Sequence, residues 1–262
     1  MMIDLATVSG ASAAALLVVF AVTFGIARRI GRYNVVDVAW GLGFIAVAAV
    51  AAILGHGDPT RRWLLLVLVA IWALRLSGYI HRRSAGKGED PRYADLLRDA
   101  GVGQVIRKVF VVQGFAIWFI SLPVQLSAVI GPTPRPLLPV TLAGIVVWLA
   151  GLGFEAVGDR QLRVFKADPA HGGVVMDRGL WAWTRHPNYF GDASVWWGLW
   201  LVTIAGWWSL TTILSPALMT YFLVSVTGAR LTEKYMKGRP GFAEYQQRTS
   251  FFIPSPPRSA RK

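Results

Sequence analysis

The sequence predicts an all-α, polytopic integral membrane protein with about seven transmembrane helices. Of its 262 residues, 54% are hydrophobic and 16% are charged, a balance that does not suit a soluble globular domain. A spanning helix needs roughly 20 mostly apolar residues. By that criterion the chain contains seven candidate spans, at residues 5–27, 35–54, 63–80, 109–130, 137–157, 189–205 and 207–228.

Local signals set the boundaries of these helices. No basic residue precedes the first span, and its apolar run exceeds the ~7–15 residues of a signal peptide core, so we expect it to be retained. Pro187 disfavours helical conformation at His186 but is tolerated in a first turn, which predicts that the sixth helix begins there after a loop. The last two spans are separated by a tight turn whose Trp side chains suit the membrane interface, at Gly206, Trp207 and Trp208.

The basic residues alternate in density from one connection to the next. Alternate connections hold 23 of the 27 Lys and Arg residues, the other connections hold 3, and Arg75 lies within a helix. The positive-inside rule therefore places the amino terminus outside and the carboxyl terminus in the cytoplasm. The same distribution argues against nucleic-acid binding, because the net charge of +13 follows the topology and does not gather on one soluble face. Cysteine is absent, which excludes disulfides.

Several ionisable residues fall at membrane depth, where a charge costs a few kcal/mol and normally faces the bundle with a partner or a task. The candidates are Asp37, Arg75, Glu155, Asp159 and Asp192. Asp37 shares a helical stripe with Asn34 and Trp40, and Arg75 faces the same way as Tyr79 four residues later. Each group is consistent with a buried structural ion pair or with a functional site.

A polar stripe continues past the fifth span. Glu155, Asp159, Arg163 and Lys166 recur at spacings of four, four and three, so a continuous helix carries them on one face. The stripe is either a solvated, ion-paired surface or one wall of a cavity. Two long connections rich in turn formers, 82–93 and 168–179, follow the third and fifth spans, and we expect one of them to cover a site.

The densest polar cluster is RGLWAWTRHPNYFGD at residues 178–192, with Arg185, His186, Asn188, Tyr189 and Asp192. Backbone N–H groups at the start of the following helix favour an anion. The cluster therefore suits a ligand bearing phosphate or carboxylate at the cytoplasmic edge of the bundle. The alternative is interfacial anchoring, since Arg, His, Tyr and Trp all favour headgroups.

Three stretches, GLWAWTRHPNYFGDASVWWG, FAEYQQRTSFFIPSPP and LRLSGYIHRRSAGKGEDPRY, make the chain resemble the bacterial steroid 5α-reductase-like membrane proteins over nearly its whole length. The resemblance implies a seven-helix reductase of the bacterial inner membrane that binds NADPH in a cytoplasmic pocket. It implies reduction of a carbon–carbon double bond conjugated to a carbonyl in a lipophilic substrate, whether steroid, isoprenoid or lipid. We expect one membrane domain over 1–262, with substrate-side helices in 1–130 and cofactor-binding helices and loops in 137–262.

Carried over position by position, the resemblance places the family's NxxG(E/D) motif on Asn188 and Asp192. The resemblance further implies cofactor contacts from Arg75, Tyr79, Asp159, Arg163, Lys166, Arg230 and Tyr245. With Arg185, His186 and Tyr189 of the polar cluster, these residues make up the expected cofactor-binding set. The steroid enzymes use a Tyr and a Glu to polarise the substrate oxygen. Here Trp72 stands at the Tyr position and Asp37 is the candidate counterpart of the Glu, so either Asp37 or Tyr79 is the expected proton donor. No metal site is predicted.

Two other functions remain open at this point. The first is that of an S-adenosylmethionine-dependent methyltransferase, because isoprenylcysteine carboxyl methyltransferases carry a similar RHPxYxG motif. Asn188, the Thr232–Glu233 pair and the seven helices favour the reductase over this alternative. The other function is that of a lipid carrier without catalysis. Either enzyme requires the polar groups of helices two, three, five and six to converge into one chamber shaped for a nucleotide.

Overall fold

The computed structural model describes residues 2–257, and within that range the protein is helical. Of the basic tail residues, Arg258, Arg261 and Lys262 lie outside the described residues. The α-helices are α1 (Met2–Ile30), α2 (Val36–Leu54), α3 (Pro59–Ser84), α4 (Pro91–Leu96), α5 (Val102–Val105), α6 (Val112–Ile120), α7 (Leu122–Ser127), α8 (Leu138–Ala167), α9 (Leu180–Trp183), α10 (Pro187–Val202), α11 (Trp207–Leu210), α12 (Leu214–Tyr221), α13 (Ala229–Met236) and α14 (Phe242–Arg248).

Six helical segments among the described residues are long and apolar enough to cross a membrane, so the predicted all-α, polytopic class is confirmed. They are Met2–Ile30, Val36–Leu54, Pro59–Ser84, Val102–Ile120, Arg135–Ala167 and Trp207–Met236. The remaining predicted span, 189–205, is α10, a helix of 16 residues. At 1.5 Å per residue it is about 24 Å long, shorter than the ~30 Å hydrocarbon core. It begins at Pro187, as predicted.

The fourth span differs from its predicted range of 109–130. It starts earlier, at Val102, and ends at Ile120. Pro123 then occupies the first turn of α7, because a proline inside the continuing helix would lose a hydrogen bond and clash with the preceding turn. The span also contains a wide π turn between α5 and α6, at Ile106–Val111.

The chain forms two compact units. The first comprises Met1–Pro139 and Val202–Ser215, and the second comprises Val140–Leu201 and Pro216–Lys262. In the first unit α2 packs against α1 and α3. A side chain at Gly41 would come within 2.7 Å of the Ala73 carbonyl oxygen, so the α2–α3 contact requires a residue without Cβ.

In the second unit α8 and α10 run antiparallel and in close contact. A Cβ on Gly191 would lie 2.5 Å from the Glu155 nitrogen and the Gly151 oxygen, and one on Gly198 would lie 2.6 Å from the Trp148 nitrogen. Small residues recur at seven-residue intervals on both helices, at Gly144, Gly151, Gly158, Gly191 and Gly198. This backbone contact fixes the register in which the polar residues of α8 and α10 meet.

The carboxyl-terminal segment of the second unit packs on the connection that follows α8. Val175 from that connection forms a small core with Phe242 and Tyr245 of α14. The Tyr245 hydroxyl donates to the Trp181 carbonyl oxygen at 2.6 Å. The Trp181 indole in turn donates to the Gly158 carbonyl at 3.0 Å, so these contacts tie the segment before α10 to both α8 and α14.

Candidate functional site

A chain of three hydrogen-bonded side chains ends at Asp37 in the first unit. The Tyr93 hydroxyl donates to Asp37 Oδ1 at 2.5 Å. Gln113 Nε2 donates to the Tyr93 oxygen at 3.0 Å. Because the amide hydrogen occupies one side of the phenol oxygen, the phenol proton is directed at the carboxyl group. The arrangement can hold one exchangeable proton between Tyr93 and Asp37.

The connection 82–93 places Tyr93 over the start of α2. The Glu89 carboxylate accepts the backbone N–H groups of Tyr33 and Asn34, the latter at 2.9 Å. The Asn34 side chain donates to the Gly88 carbonyl at 3.3 Å. A helix start leaves backbone donors without intrahelical partners, and Glu89 satisfies two donors just before α2. Of the two long connections predicted from the sequence, 82–93 therefore covers a polar cluster in the first unit.

Arg92 is directed mainly towards Asp90. Arg92 Nε and Nη2 donate to the two Asp90 oxygens at 3.0 and 2.9 Å, whereas Nη2 is 3.4 Å from Asp37 Oδ2. Burial by itself would raise the pKa of Asp90, but the hydrogen bonds and charge of Arg92 outweigh it and lower that pKa. Burial, together with the charge of Asp37, raises the pKa of the Tyr93 phenol, so the phenol is protonated near neutral pH.

Other residues predicted for this unit lie along α3. Arg75 and Tyr79 are both half-buried. The Arg83 guanidinium lies 5.6 Å over the centre of the Tyr79 ring, a cation–π contact. Trp72 is fully buried and its ring meets that of Phe44 at 5.5 Å, so it contributes to the core. Tyr93 is a further tyrosine that the sequence analysis did not single out.

The α8–α10 contact in the second unit carries a buried polar cluster. Glu155, Asp159 and Asp192 expose only 2%, 4% and 7% of their surface. Asn188 Nδ2 donates to Asp159 Oδ1 at 3.3 Å. Asn188 Oδ1 is buried without a hydrogen-bond partner among the described residues. A buried amide oxygen in that condition can accept a hydrogen bond from a ligand.

Glu233 of α13 organises a second network in this unit. Arg185 Nε donates to Glu233 Oε1 at 2.6 Å, His186 Nε2 lies 3.1 Å from the same oxygen, and Gln246 Nε2 donates to Oε2 at 2.8 Å. Arg185 Nη1 also donates to the Thr249 carbonyl oxygen at 2.7 Å. The arginine predicted as an anion ligand therefore joins the segment before α10 to α13 and the tail.

His186 is enclosed in this network. It is 3% exposed, and its ring stacks on Tyr189 with centres 5.7 Å apart. Burial lowers the pKa of His186 below its ordinary value, although the carboxylate of Glu233 opposes the shift. A neutral imidazole is therefore favoured in the folded protein. The hydroxyl groups of Tyr189 and Thr232 are 3.4 Å apart, which connects the same segment to α13.

Comparison with known proteins identifies the family. Residues 23–249 match a family model described as a protein of unknown function (DUF1295). The chain belongs to this family. No curated protein and no solved structure matches it. The clusters around Asp37, Asn188 and Glu233 all lie inside the range that matches DUF1295.

The remaining residues predicted to bind a cofactor in this DUF1295 protein are either exposed or buried. Arg163 and Lys166 near the end of α8, and Arg230 on α13, are exposed. Tyr245 is 2% exposed and donates to a backbone carbonyl, and burial raises the pKa of its phenol. The exposed cations are accessible to a charged ligand. The convergence of all predicted groups into one chamber stays a prediction.

Sequence reasoning missed the partners that complete both networks. Tyr93 is the last residue of the stretch LRLSGYIHRRSAGKGEDPRY, and its position directly after the basic Arg92 was the available sign of a polar site. Glu233 lies in a short helix with strong separation of polar and apolar faces, next to Thr232. Each partner lies far along the chain from the residue it contacts, 56 residues for Tyr93 and Asp37 and 48 for Glu233 and Arg185.

Proposed function

We propose that this protein is an NADPH-dependent membrane reductase that saturates a carbon–carbon double bond conjugated to a carbonyl in a lipophilic substrate. The observation that carries the proposal is the Gln113–Tyr93–Asp37 chain, in which a protonated phenol is hydrogen-bonded to a carboxyl group at the first turn of a membrane-spanning helix. Conjugate reduction needs a hydride and a positioned proton donor. NADPH supplies the hydride when it is bound.

The residues of the second unit fit such a cofactor. Asn188 Oδ1 is a buried acceptor without a partner in the described range, which suits the N–H donors of a carboxamide. Asp159 accepts a hydrogen bond from Nδ2 of the same Asn188 amide and so fixes the orientation of that amide. The exposed cations Arg163, Lys166 and Arg230 suit phosphate groups, because they are not enclosed by the Glu233 network.

The Asp37–Tyr93 pair acts on the substrate oxygen. The pair donates a proton to the conjugated carbonyl oxygen as the β-carbon accepts the hydride, and the enol then converts to the saturated carbonyl. Gln113 positions the phenol throughout by donating to its oxygen. A donor placed where negative charge develops is worth about 2.7–4 kcal/mol in the transition state. The apolar helices make a substrate dissolved in the bacterial inner membrane the expected class.

An S-adenosylmethionine-dependent methyltransferase is the second candidate. The buried carboxyl groups of Glu155, Asp159 and Asp192 favour a ligand that carries positive charge, such as a sulfonium. Methyl transfer to an anionic acceptor needs no positioned acid, and it would leave the Asp37–Tyr93 pair without a task. For that reason the reductase accounts for more of the observed groups.

Ligand-dependent stabilisation separates the two candidates. The purified protein is heated with NADPH, NADH or S-adenosylmethionine, since a ligand that binds the folded state at 100 times its Kd stabilises it by about 2.7 kcal/mol. We expect NADPH to raise Tm, and Asn188→Ala to abolish the increase while Asp37→Asn keeps it. A shift with S-adenosylmethionine alone would establish the second candidate. No shift with any of the three would overturn the cofactor proposal.

Lipid analysis tests catalysis in cells. Lipids from a bacterial strain that expresses the wild-type protein are compared by mass spectrometry with lipids from a strain that expresses Asn188→Ala. We expect a species heavier by two hydrogens only with the wild type. Equal lipid profiles, together with an unchanged cellular function of Asn188→Ala, would favour a carrier without catalysis.

A further inference from the structure

An apolar groove of about 660 Å³ lies between α1 and the fourth span of the first unit. Ala13 and Ala21 of α1 and Gly114 of α6 line it with small side chains, and Phe24, Phe110 and Trp118 line it with aromatic rings. The volume is in the range of small-molecule sites. Almost no polar surface is available in it, so an apolar ligand is indicated.

Ring contacts give the direction of the groove. Phe110 packs edge-on against Phe20 and Phe24 at 6.2 and 5.3 Å, and at the other end Trp118 donates to the Ser9 carbonyl at 3.3 Å. The two helices are therefore antiparallel. From Ala13 to Phe24 the groove follows α1 for about 16 Å, at 1.5 Å per residue. That length is about half of the ~30 Å hydrocarbon core, the depth of one lipid leaflet.

The Phe24 end of the groove is flanked by four basic side chains. Arg28 and Arg29 lie in the last turn of α1, and Arg107 and Lys108 lie in the π turn of the fourth span. All four are exposed. Because the helices are antiparallel, both pairs lie at the same end of the groove: Arg28 and Arg29 follow the last lining residue of α1, and Arg107 and Lys108 lie between the lining residues Ile106 and Phe110. Basic groups next to a groove between membrane helices are the pattern that binds anionic lipid headgroups.

The π turn is a second indication of a site. Ile106, Phe110 and Val111, which line the groove, all belong to the π turn Ile106–Val111. A π turn inside an α-helix is rare and is found frequently at functional sites. Here the same turn supplies both apolar groove residues and two of the four cations.

We propose that this groove binds one hydrocarbon chain of an anionic membrane lipid, whose headgroup lies on Arg28, Arg29, Arg107 and Lys108. Lipid chains are as apolar as the groove, so burial alone does not select a ligand in a membrane. Selection comes from the headgroup charge and from the fit of the chain. The site is independent of the proposed reductase activity, because none of its residues belongs to the Asp37 or Asn188 clusters.

Lipid retention measures the proposed binding. The detergent-purified protein is incubated with phosphatidylglycerol or phosphatidylcholine of identical chains, and bound lipid is counted by native mass spectrometry. We expect the wild type to retain at least about tenfold more phosphatidylglycerol than phosphatidylcholine, with the preference falling as salt rises. Arg28→Gln combined with Arg29→Gln should reduce that preference. Equal retention of the two lipids by the wild type would overturn the proposal.

Two variants fill the groove from opposite walls. Ala21→Phe and Gly114→Leu should each lower phosphatidylglycerol retention by at least about tenfold, because the added side chains occupy the chain site. Val22→Phe is the matched control, since Val22 is 58% exposed next to Ala21 and does not line the groove. Circular dichroism verifies that each variant is folded. Wild-type retention in both folded groove variants would exclude the site.

Discussion

The carboxyl groups of Asp37 and Glu233 have opposite kinds of partner. The closest partner of Asp37 is the neutral hydroxyl of Tyr93 at 2.5 Å, while Arg92 stays at 3.4 Å and is bound twice by Asp90. The closest partner of Glu233 is the cationic Nε of Arg185 at 2.6 Å. A neutral O–H can transfer its proton, whereas an arginine keeps its charge at any relevant pH.

The difference assigns the two carboxyl groups to different tasks. Around Glu233, hydrogen bonds come from Arg185, His186 and Gln246, so the carboxylate joins segments that are distant along the chain. Around Asp37, the loop supplies a phenol and a membrane helix supplies an amide. We therefore expect changes at Asp37 to affect turnover, and changes at Glu233 to affect folding stability.

The largest expected effect is on turnover at the first cluster. Asp37→Asn and Tyr93→Phe should each lower kcat by about 10²- to 10⁴-fold, because each removes a proton-transfer group. The rate of NADPH oxidation with the substrate that lipid analysis identifies provides the measurement. The increase in Tm with NADPH should persist in both variants. Full turnover in Asp37→Asn would remove the acid from the mechanism.

The second effect is on stability at the other cluster. Glu233→Gln should lower the free energy of unfolding by about 3 kcal/mol, since it leaves Arg185 largely buried without a countercharge. Thermal unfolding in detergent measures the loss, and Glu244→Gln, an exposed glutamate on α14, is the control with an expected change below about 0.5 kcal/mol. If Glu233→Gln kept its stability and lost turnover, the assignment of Glu233 to folding stability would be wrong.

Packing between α8 and α10 should produce a smaller loss. Gly191→Ala should destabilise the protein by about 1–3 kcal/mol, because the new Cβ would lie 2.5 Å from backbone atoms of α8. Gly153→Ala is the matched control, as nothing lies within 4 Å of its Cβ position. It should be neutral or slightly stabilising, since alanine favours a helix over glycine by about 1 kcal/mol. Similar stability of both variants would contradict the close helix contact.

The smallest effect is the pH dependence contributed by His186. Burial lowers the pKa of His186 below its ordinary value of 6.5, so the unfolded chain takes up a proton at a higher pH than the folded protein does. The stability contributed by neutral His186 is complete above that value and is lost as pH falls towards the lowered pKa. As pH falls from about 8 to about 5, the unfolding temperature of His186→Gln should decline less steeply than that of the wild type. Parallel curves would show that His186 does not titrate differently on folding.

Particular residues show what could be predicted from the sequence. Pro187 begins α10 because its ring geometry and missing N–H act locally. The stripe from Glu155 to Lys166 lies on a single helix, since its spacing alone determines that. By contrast, the fourth span was placed too late in the chain. Apolar composition marks a membrane span but does not register the break at Ser121 before Pro123.

Hydropathy and charge by themselves determined that this is a helical membrane protein, and proline and the spacing of polar residues determined where several helices start and which faces they share. These are properties of neighbouring residues, which a sequence displays directly. Only the tertiary structure decided that Tyr93 would hold Asp37, that Glu233 would hold Arg185, and that Asn188 would keep one buried acceptor without a partner among the described residues. Those pairings join distant parts of the chain, and the position of Asn188 beside Asp159 also depends on the glycine-lined contact of α8 and α10.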